Sequence, residues 1–233
     1  MRSPFTALAT ALVLLTAAGA ANANMALSTT VVEFVEGERL KDVTIVNRGE
    51  DVLYIDTTTS EIINPESDDP EARVQSDPRT AGLLVTPRRM VVKPGQQKVL
   101  RMAIRKPAGE VDQIYRVAVT PKLGKPKLSA QDDAVSTALK VLVVYEVLVM
   151  VRPTDFKPEV NITRSGKTLS MTNDGNSNLL VRSVRQCRAP GQGCVEVGAN
   201  RLYAGERWQL ELPMNTPVEV HQSIGLKNFV ETY

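Results

Sequence analysis

Ala138-Leu139-Lys140-Val141-Leu142-Val143-Val144-Tyr145-Glu146-Val147-Leu148-Val149-Met150-Val151-Arg152, followed at once by Pro153, is the stretch on which the fold turns. Its odd positions, Leu139, Val141, Val143, Tyr145, Val147, Val149 and Val151, form an unbroken apolar face with the period of two of a pleated strand. At fifteen residues it far exceeds the usual strand length of about five or six. A long core strand would explain the pattern. So would a divided one, in which Val147, Val149 and Val151 pack inside while the N-terminal half is an apolar edge that aggregates unless it finds a partner. Arg152-Pro153 ends the strand, and a proline there suits a hinge between two domains.

Working outward, short alternating runs recur on both sides. Leu100, Met102 and Ile104 alternate with Arg101, Ala103 and Arg105, and Tyr115, Val117 and Val119 with Arg116 and Ala118. Leu169 and Met171, then Trp208, Leu210 and Leu212, repeat the pattern later in the chain. Turn-rich clusters separate them: Asn47-Arg48-Gly49-Glu50-Asp51, Lys93-Pro94-Gly95-Gln96 and Asn173-Asp174-Gly175-Asn176. No long helical stripe is present, so the spacing predicts an all-β chain of antiparallel sandwiches. The acidic stretch from Asn64 to Thr80 and the Lys/Pro/Gly-rich stretch from Lys122 to Ser136 are expected to be solvated loops.

At the N-terminus, Arg2, the apolar stretch Leu8 to Ala18 and Ala21-Asn22-Ala23 match a cleaved export signal over residues 1–23. The remainder, about 210 residues, has room for two domains of about 100 residues, expected at 24–152 and 153–233. No later run is long and apolar enough to span a bilayer, so no membrane insertion of the mature chain is expected. With 28 basic and 26 acidic residues the formal charge is only +2, which argues against nucleic acid or an anionic membrane as partner. The two cysteines, Cys187 and Cys194, are an even pair flanking Arg-Ala-Pro-Gly-Gln-Gly, so in an exported chain they are expected to form a disulfide worth about 2 to 3 kcal/mol.

A family resemblance rests on an ordered series: Thr86-Pro87-Arg88-Arg89, Lys93-Pro94-Gly95, Val99-Leu100-Arg101, Tyr115-Arg116-Val117 and Pro121, with Asn47, Arg152-Pro153 and Asn173 extending it through both domains. This series resembles the PapD-like periplasmic pilus chaperones. The cysteine pair in the second domain, with none in the first, is similar to the alternate chaperone-usher branch. The resemblance implies two immunoglobulin-like β-sandwiches in a boomerang arrangement. It also implies that the long strand is lent to pilus subunits by donor-strand complementation, with delivery to an outer-membrane usher. Counting back from Arg152, the residues inserted into the subunit would be Leu139, Val141 and Val143, each contributing roughly 1.5 to 3 kcal/mol if fully buried. Arg152 and Pro153 would form the domain hinge.

The sequence departs from that family at two positions. Where its familiar members carry two basic residues that hold the subunit's C-terminal carboxylate, this chain has Val31 and Leu148. Arg89 and Arg116 are the candidate replacements, and a salt bridge from Arg116 to Asp112 or Glu146 is the plainer role for that residue. No catalytic function is expected: His221 is the single histidine, and nucleophile elbow, phosphate loop and metal-ligand motifs are all missing, so neither cofactor nor metal is anticipated. The rival expectation is a structural pilus subunit or carbohydrate-binding adhesin built from tandem sandwiches. The 4% aromatic content disfavours the adhesin.

Overall fold

A computed structural model describes residues 25–123, 142–225 and 227–233. The expected export signal at 1–23 lies outside these, as do Leu139 and Val141. The described residues form strands and no helix. Ten strands build the first unit: β1 (Met25–Leu27), β2 (Val31–Phe34), β3 (Leu40–Asn47), β4 (Leu53–Ile63), β5 (Glu71–Val74), β6 (Leu83–Thr86), β7 (Arg89–Val92), β8 (Gln97–Ile104), β9 (Gln113–Leu123) and β10 (Tyr145–Val151). One sheet has the order β1-β3-β8-β6, and the other β2-β10-β9-β4-β5 with β7 also paired to β4. The leading segment thus serves both sheets, β1 antiparallel to β3 and β2 parallel to β10.

Seven strands follow: β11 (Val160–Ser165), β12 (Thr168–Asn173), β13 (Leu179–Gln186), β14 (Val195–Leu202), β15 (Arg207–Glu211), β16 (Val218–Ile224) and β17 (Lys227–Thr232). They make a β11-β12-β15 sheet and a β14-β13-β16-β17 sheet.

Alternation dictates what each sandwich buries. In β8, Leu100 and Met102 are fully buried while Arg101 turns outward to meet Asp42 at 2.8 Å. Phe34, Ile45, Leu83, Tyr115, Val117 and Val119 join them in the first core. The second core gathers Leu169, Met171, Val181, Val184, Leu202, Val218 and Val220, with Trp208 and Leu210 packed against it. Trp208 lies over Gly198, where an added Cβ would come within 3.2 Å of the indole.

Both sandwiches close a corner with a buried asparagine. Asn47 Nδ2 donates to Asp51 O at 2.7 Å and Val92 O at 2.9 Å, while its Oδ1 accepts from Gly49 N at 3.0 Å. Asn173 repeats the arrangement, donating to Ser177 O at 2.8 Å and Leu202 O at 3.1 Å and accepting from Gly175 N at 3.1 Å. Each side chain satisfies backbone groups that the turn removes from the ladder.

Two loop expectations are corrected. The segment 64–80 is not wholly loop, because β5 folds back on the end of β4, pairing Ser60 with Val74 through Ile63 with Glu71. Lys122 and Leu123 belong to β9, where they pair with Tyr54 and Leu53. β5 is the edge strand of its sheet, where charge is tolerated, and Lys122 and Leu123 lie on β9 beyond its last pair with β10, Val119 with Tyr145.

Candidate functional site

β10 changes character along its length. Val147 and Val149 are 0% exposed and Val151 2%, all facing the first core. Tyr145 is partly buried and its hydroxyl donates to Met25 O at 2.9 Å. Just before it, Val143 is 43% and Val144 52% exposed, and residues 142–144 belong to no strand. Among the described residues, the strand expected from Ala138 to Arg152 is therefore corrected to Tyr145–Val151, and residues 138–141 lie outside the described part. Partners run out on both sides. Pairing with β9 begins at Tyr145 opposite Val119, and pairing with β2 begins only at Leu148 opposite Val31. Among the described residues, the β2-facing edge of β10 is open ahead of Leu148. Val143 is the one expected donor residue within the described part, and it lies exposed beside this open edge.

The two positions that depart from the family pattern are neighbours. Val31, Leu148, Arg116 and Ser60 are successive cross-strand partners in one row over β2, β10, β9 and β4. Where two bases would stand there is instead an apolar floor, with Val31 43% exposed and Leu148 half-buried. In the next row Met150, Ile114 and Ile62 are buried, and Tyr203 of the second sandwich packs on them, as does Leu148.

Arg116 and Arg89 are not brought together. Arg116 sits in the row with Val31 and Leu148, half exposed, with Glu146 at 3.9 Å as its ion-pair partner; Asp112, the other partner weighed for it, pairs with Arg152 instead. Arg89 is far more exposed, lies 3.6 Å from Asp56, and is in register with Asp56 on β4. Ser60, the partner of Arg116, is four residues further along β4, which separates the two rows by about 13 Å.

Arg152 is buried at the junction of the sandwiches, its side chain 2% exposed. Its Nε pairs with Glu33, and its Nη1 donates to Asp112 Oδ2 at 2.7 Å and to Asn178 O at 3.0 Å. Asn178 N returns a hydrogen bond to Asp112 Oδ2 at 2.6 Å, and the Asn178 side chain bridges Asp112 and Arg201. Burial raises the Asp112 pKa, and its push outweighs the opposing pull of Arg152. The guanidinium also lies 5.6 Å from the centre of the Phe156 ring, within cation–π range. Pro153 is buried next to it. Both acids come from the first sandwich, while the second contributes the uncharged Asn178.

Asn178, Arg201 and Tyr203 are cleft residues that sequence reasoning missed. Their only signal is that Arg201, in β14, and Tyr203, just after it, flank the fully buried Leu202. Cys187 and Cys194 are joined as a disulfide at the far end of the β13–β14 hairpin, about 23 Å along the strands from Leu179 and the cleft. Among the described residues, no cluster of His, Cys, Asp and Glu is placed to hold a metal.

A family model described as "Pili and flagellar-assembly chaperone, PapD N-terminal domain" matches residues 24–157. The chain is 27% identical over 163 residues to a CFA/I fimbrial subunit of Escherichia coli, covering 68% of each chain. Its fold is similar to the crystal structure of the class 5 fimbriae chaperone CfaA (TM-score 0.60, 20% identity, 90% of this chain and 98% of that one). It is also similar to the CsuC–CsuE chaperone–tip subunit pre-assembly complex of Acinetobacter baumannii (TM-score 0.64, 11% identity, 90% and 98%).

Proposed function

The chain belongs to the pili and flagellar-assembly chaperone family, and from that premise we propose that it lends the segment leading into β10 to pilus subunits as a missing strand. The observation that carries this is the contrast between the buried Val147, Val149 and Val151 and the exposed Val143 beside an unpaired edge. Alternate residues on the same face, Leu139, Val141 and Val143, enter the subunit's groove while backbone groups pair along the edge. The chain acts by binding, without catalysis. Fimbrial relatives and the chaperone–tip subunit complex of A. baumannii support an exported partner set of pilus subunits and an outer-membrane usher, and a site of action in the periplasm. A structural pilus subunit or adhesin is not favoured, because the family match, residues 24–157, spans the whole first sandwich.

On the same proposal, residues 24–152 and 153–233 are the two domains, with Arg152 and Pro153 as their hinge. Arg116 meets the terminal carboxylate of the subunit. Arg89 is set aside for this role because of its distance from the cleft row. The test is co-expression with a pilus subunit, comparing wild type with Val143→Asp. The variant should fold normally and lose the subunit, because a carboxylate would be buried in the groove without a partner. A Val143→Asp protein that retains full subunit yield would sink the proposal.

A further inference from the structure

β17 is the edge of the β14-β13-β16-β17 sheet: it pairs with β16 and, among the described residues, with no other strand. Val218 and Tyr233 exchange two backbone hydrogen bonds of 2.9 Å at its end. Hydrogen-bonded pairs alternate along an antiparallel ladder, so the next ones are Val220 with Glu231, Gln222 with Phe229 and Ile224 with Lys227. The N–H and C=O groups of Asn228, Val230 and Thr232 therefore turn to the open edge. Every residue of the strand is exposed, Phe229 by 42% and Val230 by 56%.

Lys227, Phe229 and Glu231 share a face with Val220 of the second core, because cross-strand partners lie on one side of a sheet. Two of these three are charged. Inward charge on an edge strand blocks an arbitrary partner, since pairing would desolvate the charge without a counter-ion. A second copy of the strand supplies the counter-ion. Laid antiparallel with Phe229 on the twofold axis, β17 sets Lys227 of each copy opposite Glu231 of the other, and Asn228 opposite Val230, whose free backbone groups bond to one another. The Phe229 and Lys227–Glu231 contacts fall on non-hydrogen-bonded pairs, where facing side chains come closest.

The charges are free to serve. Among the described residues Lys227 forms no ion pair. Glu231 Oε2 accepts from the Tyr233 hydroxyl at 2.6 Å and from Gln222 Nε2 at 3.3 Å, which fixes the side chain and leaves Oε1 for a cation. β15, an edge of the other sheet, also has opposite charges at its ends, Arg207 and Glu211, but its apolar residues Trp208 and Leu210 pack on its own core. β17 adds exposed apolar surface to the charge pattern.

We propose that β17 is a self-recognition edge through which two copies of this chain join, second sandwich to second sandwich, merging two four-stranded sheets into one. This goes beyond strand lending and leaves it intact. The open edge of β10 belongs to the first sandwich, so each copy in the pair keeps its own subunit site.

The experiment is sedimentation velocity of the purified chain from about 5 to 500 µM, a range suited to a short and weak interface, with folding of each variant checked by circular dichroism. Wild type should pass from monomer to dimer within it. Val230→Pro removes an outward N–H that the pairing with β16 does not use, and should leave a folded monomer. Gln209→Pro, the same change on β15, should leave the dimer in place. Lys227→Glu and Glu231→Lys should each weaken association by about tenfold or more, and an equimolar mixture of the two should recover it to within about threefold of wild type. Wild type that stays monomeric at the highest concentration overturns the proposal. So does a folded Val230→Pro chain that still dimerises, or a pair of folded charge variants that fails to recover on mixing. If Glu231→Lys does not fold, Val230→Pro still decides. Subunit capture, read separately by co-expression, is untouched by any of these results.

Discussion

Val149 and Val143 are the same residue type on the same face of one segment, yet one is fully buried and the other 43% exposed. What separates them is where neighbours end. β9 and β2 flank Val149, whereas Val143 lies ahead of the first pair with either. An apolar side chain inside the sandwich contributes to the stability of the chain itself; the same side chain outside it can only stabilise something else. Fold and function thus share one alternating pattern, divided near Tyr145.

The contrast breaks most sharply with Val149→Asp. An unpaired carboxylate in the first core should cost several kcal/mol and prevent cooperative folding, visible as loss of the thermal transition in circular dichroism. Arg152→Ala should come next, at about 3 to 5 kcal/mol in urea denaturation, because it strands Asp112 as an unpaired charge at the domain junction. Replacing Cys187 and Cys194 by serine should cost about 2 to 3 kcal/mol or less and leave subunit capture unchanged, since the disulfide is remote from the cleft. Val143→Asp should be the smallest on this scale, within about 0.5 kcal/mol of wild type, while abolishing subunit capture. If Val143→Asp melts early and Val149→Asp does not, the division of the strand lies elsewhere.

The faces of the strands were legible because burial on one side leaves a period of two, as at Leu100 and Met102 or Leu169 and Met171. The length of β10 was not. Alternation persists from Leu139 to Val151 whether the neighbours are strands of this chain or of another, so periodicity cannot report where pairing stops. β5 was hidden for a related reason: Glu71-Ala72-Arg73-Val74 is an exposed edge, with no buried face to leave a pattern. The apolar pair Val31 and Leu148 could be found by spacing, but their adjacency depends on the parallel register of β2 with β10. Arg201 and Tyr203 belong to the other sandwich, and nothing local in the sequence announces what they face.

The point where β2 leaves β10 also sets a measure. A strand that stops against Thr30 and Val31 has its register fixed from its end, like a rod pushed to the bottom of a sleeve. Since side chains alternate, moving that stop by two residues would slide the guest along and keep its inward face, while moving it by one would turn every inward side chain to solvent. On the proposed strand lending, the short β2 would act as a ruler for a chain that is not its own.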